Sequence, residues 1–282
     1  MTSDKTPPPP RIHAILVSSA QVGVVFRRGP SGQVATFLWN RRKDEFKIGQ
    51  WLKGRIYERR SDISPDGKNM IYFAMNGRWN SETGGAWTAV SKVPYLKALD
   101  LFAKGDCWEG GGLFVSNERY WLNDRHFDKA LVLRSQSGLT CDPTAQPGQR
   151  FDVTCAGIYY PRLIREGWKI AEQSVRVRKK SPTMFDKPLA AGWILRKLTH
   201  QQSKPAEGKS ASWDEHELIN GDTGTRIRYP EWEWAEWEQG TLVWAERGKL
   251  YRALLASNKE LGEAKLLHDF SSYSFESLIA PY

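Results

Sequence analysis

Short apolar runs broken by turn residues dominate the chain from residue 12 onward. VGVVF (22–26) and VATFLW (34–39) flank RRGPSGQ, in which Gly29-Pro30-Ser31-Gly32 predicts a tight turn between two strands. RSDISPDGKNMIYFAM (60–75) repeats the logic. There Pro65 pre-sets φ, Asp66 offers a side-chain acceptor and Gly67 supplies a φ > 0 position, which predicts a hairpin. WAEWEQGTLVWAERGKLYRALL (234–255) reads as three strands turning at Gln239-Gly240 and Arg247-Gly248. DCWEGGGLFVSNERYWLN (106–123) turns at Gly110–Gly112 and Ser116-Asn117, and IYYPRLIREGWKIAE (158–172) at Glu166-Gly167. YLKALDLFA (95–103) and SWDEHELI (212–219) carry the little helical period there is, and neither is long enough to make the chain α/β.

The turns at Gly67, Gly111, Gly167 and Gly240 are 44, 56 and 73 residues apart. The first two intervals are near the roughly 40–50 residues of one four-stranded propeller blade. The third leaves room for an insertion, for which QQSKPAEGKSAS (201–212), without apolar period, is the candidate. Residues 1–11, opening MTSDKTPPPP, read as a flexible proline-rich start, and residues 12–282 as one domain. The expected fold is all-β: a single β-propeller of about five four-stranded blades with loop insertions. DFSSYSFESLIAPY, at 269–282, is expected to pair with the first strand and close the ring.

The segment DISPDGKNMIYFAM resembles the blades of propellers that carry a Ser-Pro-Asp-Gly repeat, as in the Tol-system and prolyl-oligopeptidase propellers. WAEWEQGTLVWAERGKLYRALL is similar to a degenerate copy, with Glu238-Gln239-Gly240 in place of Pro-Asp-Gly. The resemblance covers these two segments, about 45 residues, and more faintly 106–123 and 156–172. It implies a propeller and no activity. GQWLKGRIYERRSDISPDG (49–67) also resembles a segment of an uncharacterised bacterial family, which implies no function either.

Composition adds partners rather than chemistry. The chain has 13 Trp, a net charge of +9 and a pI near 9.4. Such a charge admits a polyanionic partner, but Lys and Arg are spread along the chain, so nucleic acid is not favoured. VRVRKKSP (175–182), with Arg176, Arg178, Lys179 and Lys180, lacks interleaved aromatics and reads as a charged edge strand. Cys107, Cys141 and Cys155 are odd in number and show no CxxC spacing, so neither a disulfide framework nor a four-cysteine zinc site is expected, and a reducing, cytoplasmic setting is. No apolar run is long enough to span a bilayer as a helix, and no membrane association is expected.

The five His include no HxH or HExxH, there is no GxSxG turn, and Gly110-Gly111-Gly112 lacks the Lys-Ser/Thr of a phosphate loop. No catalytic residue, metal ligand or cofactor is assigned. The binding candidates form two runs. GQWLKGRIYERRSD offers Trp51, Lys53, Arg55 and Arg59, with strand alternation placing Lys53, Arg55, Tyr57 and Arg59 on one face; Arg59 and Asp62 are also candidates for a structural ion pair. GGAWTAVSKVPYLKALDLFAKGDCWEGGG offers Trp87, Tyr95 and Trp108 as a concave aromatic lining with Asp106 and Glu109 as polar anchors, against the plainer reading of packing between blades. EWEWAEWE (231–238) reads as a half-buried strand with Trp232 and Trp234 inside and a bulge near Ala235 or Glu236. The expected function is a non-catalytic protein-interaction subunit or scaffold of a regulatory or defence assembly, in complex with another protein. The alternatives are a carbohydrate- or peptide-acting hydrolase or lyase using carboxylates such as Asp106 and Glu109, and a nucleic-acid-binding accessory protein.

Overall fold

A computed structural model describes residues 8–30, 32–124, 131–147, 149, 151, 154–173, 181–201, 210–255 and 261–282. The run at Arg176–Lys180, most of the proposed insertion at 201–212 and the start at 1–7 lie outside the described residues. Among them the structure is almost entirely β, in five sheets with one helix.

The first sheet is a meander of β1 (Arg11–Leu16), β2 (Val22–Arg28), β3 (Gln33–Asn40) and β4 (Glu45–Lys53). The second joins β5 (Arg55–Ile63), β6 (Asn69–Met75), β7 (Ala86–Lys92) and β8 (Asp100–Ala103), with β11 (Leu131–Ser135) added beyond β8. β9 (Gly112–Phe114) and β10 (Arg119–Leu122) form a hairpin, and β12 (Thr140–Cys141) pairs with β10 in parallel. The fourth sheet runs β13 (Lys169–Glu172), β14 (Thr183–Pro188), β15 (Trp193–Gln201), β16 (Ser212–Asn220) and β17 (Arg226–Tyr229). The fifth is the meander β18 (Trp234–Glu238), β19 (Thr241–Glu246), β20 (Lys249–Ala253) and β21 (Lys265–Asp269). Two of the sheets have the expected four strands; the others have three and five.

Local turn chemistry accounts for the hairpins. In the Ser-Pro-Asp-Gly turn the Gly67 amide donates to Ser64 O at 2.8 Å, the Ser64 hydroxyl donates to Asp66 Oδ1 at 2.7 Å, and Gly67 sits at φ 74°. Gln239 (φ 50°) with Gly240 (φ 75°), and Arg247 (φ 49°) with Gly248 (φ 79°), put both central residues at positive φ. That is the turn whose twist matches two-residue hairpins.

Three expectations on local structure are corrected. Residues 158–172 are not two strands: α1 spans Ala156–Arg165. Ala156, Tyr159, Tyr160 and Leu163 are buried at helical spacing. Glu166-Gly167 is the helix end, with Gly167 at φ 89°, its amide donating to Ile164 O at 3.1 Å and the Trp168 amide to Leu163 O at 3.0 Å. This paired pattern is a Schellman cap. No bulge interrupts β18, whose register with β19 runs unbroken from Trp234↔Ala245 to Glu238↔Thr241. The alternation therefore persists, and Glu236 and Glu238 are buried on the side of Trp232 and Trp234. The segment Tyr273–Tyr282 forms no strand; β21 pairs with β20 instead.

The chain divides into two compact units, one of Met1–Pro8, Ala14–Arg162 and Tyr273–Tyr282, the other of Pro9–His13 and Leu163–Ser272. In the first, Ile15, Val24, Phe26, Ile56, Met70, Tyr72 and Ala89 form one apolar core, and Ile71, Val90, Phe102, Phe114 and Tyr120 another. In the second, Trp168 is buried between two amines, Lys197 Nζ at 4.7 Å and Lys187 Nζ at 5.2 Å from its ring, while its Nε1–H donates to Glu236 at 3.0 Å. Glu236 also takes Lys187 Nζ at 2.6 Å, so the buried carboxylate is answered by a part-buried cation. Tyr229, Trp232, Trp244 and Tyr251 continue this unit as a stacked ladder, with successive centroids 3.7, 4.9 and 5.6 Å apart.

Candidate functional site

The run 49–62 is divided between two sheets, because Gly54 ends β4 and begins the turn into β5. A Cβ at Gly54 would lie 2.6 Å from Met75 O, so the chain passes too close to β6 for any side chain there. Lys53 and Arg55 are thus not neighbours on one strand, which corrects the single-face expectation. Within β5 the alternation breaks again. Tyr57 pairs with Phe73 and Asp62 with Ile71, so β5 advances five residues while β6 advances two. The three extra residues form a large bulge that turns Arg59 and Arg60 into the unit rather than along the strand face.

The bulge is a basic and aromatic cluster. Arg55 lies over Tyr57 at 4.6 Å, Arg60 over Tyr57 at 5.1 Å and over Phe73 at 5.0 Å, and Arg59 over Tyr159 at 4.9 Å. Arg162, on α1, donates through Nη1 to Glu58 O at 3.1 Å and to Ser61 O, and it too covers Tyr159. Burial alone would raise the Glu58 carboxyl, but Arg28 at 3.0 Å, with Arg55 and Arg59, holds it below the ordinary carboxylate range. Asp62 accepts the Phe114 amide at 2.8 Å.

Arg60 has a second task. Its Nη1 donates to Cys107 O at 2.8 Å and Glu109 O at 3.1 Å, so a guanidinium packed against two rings grips the loop 104–111. Asp106 Oδ1 accepts the Trp108 amide at 2.9 Å, and Lys104 Nζ meets Asp124 at 2.8 Å and Glu109 at 4.0 Å. The loop so fixed presents Trp108, which is 71% exposed. The adjoining loop 76–85 presents Trp79, 57% exposed, and is ordered by Arg78 N to Asn76 Oδ1 at 2.9 Å and the Ser81 hydroxyl to Arg78 O at 2.7 Å. A Cβ on Gly84 would lie 2.9 Å from Gly105 Cα, so the two loops touch. Arg55 and Arg78 are exposed at the same end of the second sheet, where Arg55 pairs with Met75. Two exposed indoles on hydrogen-bonded loops, flanked by two guanidiniums, make up this face.

Of the other candidates, Trp87, the second residue of β7, pairs with Ala103 at the same end of the sheet but packs on the first core, whereas Tyr95 follows the opposite end of that seven-residue strand. Trp51 is buried between Arg27, 5.1 Å from its ring, and Phe275, 6.0 Å away, and Lys53 Nζ is 4.6 Å from the Phe275 ring. Tyr95 meets Tyr282 edge-on at 6.0 Å. Trp79 and the partners Phe275 and Tyr282 are not among the candidates read from the sequence. The turn pairs Asn76-Gly77 and Gly84-Gly85 bracket Trp79 and mark it as loop-borne; nothing local points from Phe275 to Trp51.

No protein-family model matches the chain. No curated protein matches it. The solved structures it resembles, all weakly, include β-propeller domains. Against the β-propeller domain of the Trilobed protease from Pyrococcus furiosus the identity is 10% and the TM-score 0.28, over 94% of this chain and 100% of that one. Against the tricorn protease they are 10% and 0.27, over 97% of this chain and 36% of that one. An uncharacterized protein from Listeria monocytogenes EGD-e gives 12% and 0.23, over 91% of this chain and 66% of that one. No helix among the described residues is long and apolar enough to cross a membrane.

Proposed function

We propose that the chain is a non-catalytic subunit that docks a partner protein through the Trp79–Trp108 face, and that its five sheets are the blades of a β-propeller. The observation that carries the docking role is the exposure of Trp108 on a loop that buried Arg60 holds in place. An indole left in water costs hydrophobic free energy, and that cost is recovered when a partner covers it. A loop ordered before binding loses little entropy on docking. Trp and Arg are the side chains that most often dominate interface energy. Arg55 and Arg78 beside the indoles favour a partner surface bearing carboxylates. Asp106 and Glu109 hold loop structure, which supports a binding role for this loop over hydrolysis. The propeller reading rests on the meanders β1–β4 and β18–β21 and on the Ser-Pro-Asp-Gly hairpin.

The test is capture from the native host with the tagged chain, in parallel with Trp79→Ala/Trp108→Ala. The expected result is a protein recovered near one to one, resistant to nuclease and moderate salt. Its affinity falls at least about 30-fold for the double variant, the effect of a residue worth about 2 kcal/mol. Binding that the wild type and the double variant share equally, or recovery of nucleic acid alone, counts against the reading.

A further inference from the structure

The segment Tyr273–Tyr282 is laid over the first unit as an extended strap held by side chains. Tyr273 meets Phe37 edge-on at 4.8 Å, and Phe275 packs on Trp51. Gln50 Nε2 donates to Leu278 O at 2.8 Å. The Tyr282 hydroxyl donates to Lys97 O at 2.7 Å and accepts the Lys92 amide at 3.1 Å, and Lys97 Nζ donates to the main-chain oxygen of Tyr282. Tyr273, Phe275, Leu278, Ala280 and Tyr282 face inward or are part-buried, whereas Ser274, Glu276, Ser277 and Ile279 face solvent.

The seat beneath is built from distant parts of the first unit. Ala35 pairs with Trp51 and Phe37 with Ile48, so β4 carries one extra residue at Gly49–Gln50. A Cβ on Gly49 would lie 2.3 Å from Pro94 O, so β4 meets the connection after β7 at that point. The Gln50 side chain, freed by the bulge, accepts the Leu96 and Lys97 amides at 2.7 and 3.0 Å with its oxygen and holds the strap with its nitrogen. A cation meets each ring at the two ends: Lys53 Nζ lies 4.6 Å from Phe275, and Lys92 and Lys97 Nζ lie 5.3 and 5.2 Å from Tyr282. Such pairs recognise aromatic side chains without a fixed backbone ladder. Beneath the strap, the buried Trp51 Nε1–H has no acceptor among the described residues.

We propose that this seat is a peptide-recognition site filled in cis by the strap. In trans it takes an extended segment of a partner protein bearing aromatic residues at the strap's first, third and tenth positions. The cis strap competes at a high local concentration, so the seat opens only to a better-fitting segment or after the strap is displaced. An acceptor group placed to meet the Trp51 Nε1–H is the feature that would make a partner segment fit better than the strap. The inference does not depend on the Trp79–Trp108 face.

The test uses the full chain and a fluorescent peptide with the sequence of residues 271–282, followed by anisotropy. Phe275→Ala/Tyr282→Ala releases the strap and is expected to bind the peptide at least about tenfold more tightly than the wild type does. Tyr282→Ala alone, a milder change that leaves the sheets intact, is expected to fall between. A peptide with alanine at the Phe275 and Tyr282 positions is expected to lose binding about tenfold or more. The proposal is overturned if a folded strap-released chain fails to bind, if wild type and variant bind alike, or if the alanine peptide binds equally well.

Discussion

The guanidinium of Arg60, packed against both Tyr57 and Phe73, donates to the carbonyl of Cys107 and so ties the bulge of β5 to the loop that carries Trp108. Arg60→Lys keeps the charge but loses the planar guanidinium whose Nη1 reaches two carbonyls while its face packs on two rings. Lysine at this position is expected to cost about 1–3 kcal/mol of stability, and alanine more, because two part-buried carbonyls lose their donor and two rings lose their cover. Denaturant melts check the stability. Faster amide exchange confined to 104–111 in Arg60→Lys would show the loop loosened; unchanged exchange would remove Arg60's positioning role.

Gly111 is pinned by the same arrangement. It sits at φ 81°, and a Cβ there would lie 2.0 Å from Arg60 O. Gly111→Ala combines an unfavourable backbone with a backbone clash and is expected to cost more than about 3 kcal/mol. Gly77, at φ 70°, has open space around it, so Gly77→Ala is expected to cost only about 1–2 kcal/mol. Urea midpoints of the two variants rank them directly.

In the second unit the part-buried Lys187–Glu236 pair contrasts with the exposed Arg247–Glu231 pair at 3.6 Å. Glu236→Gln leaves Lys187 beside Trp168 without its counter-ion and is expected to cost about 3 kcal/mol. Glu231→Gln is expected to change stability by less than about 0.5 kcal/mol, since solvent already screens that pair. Equal effects in thermal melts would contradict the buried role of Glu236.

The Cys141 thiol is pushed up to about 12, first by burial and then by Asp100 and Asp142. The folded chain therefore holds this proton more tightly than the unfolded chain, whose thiols titrate at about 8.5. Its contribution is intact below that pH and is lost as pH rises toward 12. Burial also raises Tyr72 and Tyr120, which steepens the loss above about pH 10. Urea midpoints measured from pH 8 upward are expected to fall, and to fall less steeply in Cys141→Ala. At pH 8.5 a thiol reagent is expected to label exposed Cys107 well before Cys141, as read by mass spectrometry.

What the sequence determined by itself is the all-β character and most of the hairpins. Pro65-Asp66-Gly67, Gln239-Gly240 and Arg247-Gly248 act within four residues, and the alternating strands beside them need no distant information. Tertiary structure decided the rest. Residues 156–165 satisfy both an extended and a helical pattern, and the helix prevails where its apolar stripe is buried and Gly167 caps it. Arg59 and Arg60 leave the strand face because three extra residues must bulge between two fixed pairings with β6. Trp51 and Tyr95 look like open binding residues in the sequence, yet Phe275 and Tyr282 cover them from more than 180 positions away. A turn is set by the φ preferences of adjacent residues. Which ring covers which indole is set by packing between distant segments, and no local preference encodes it.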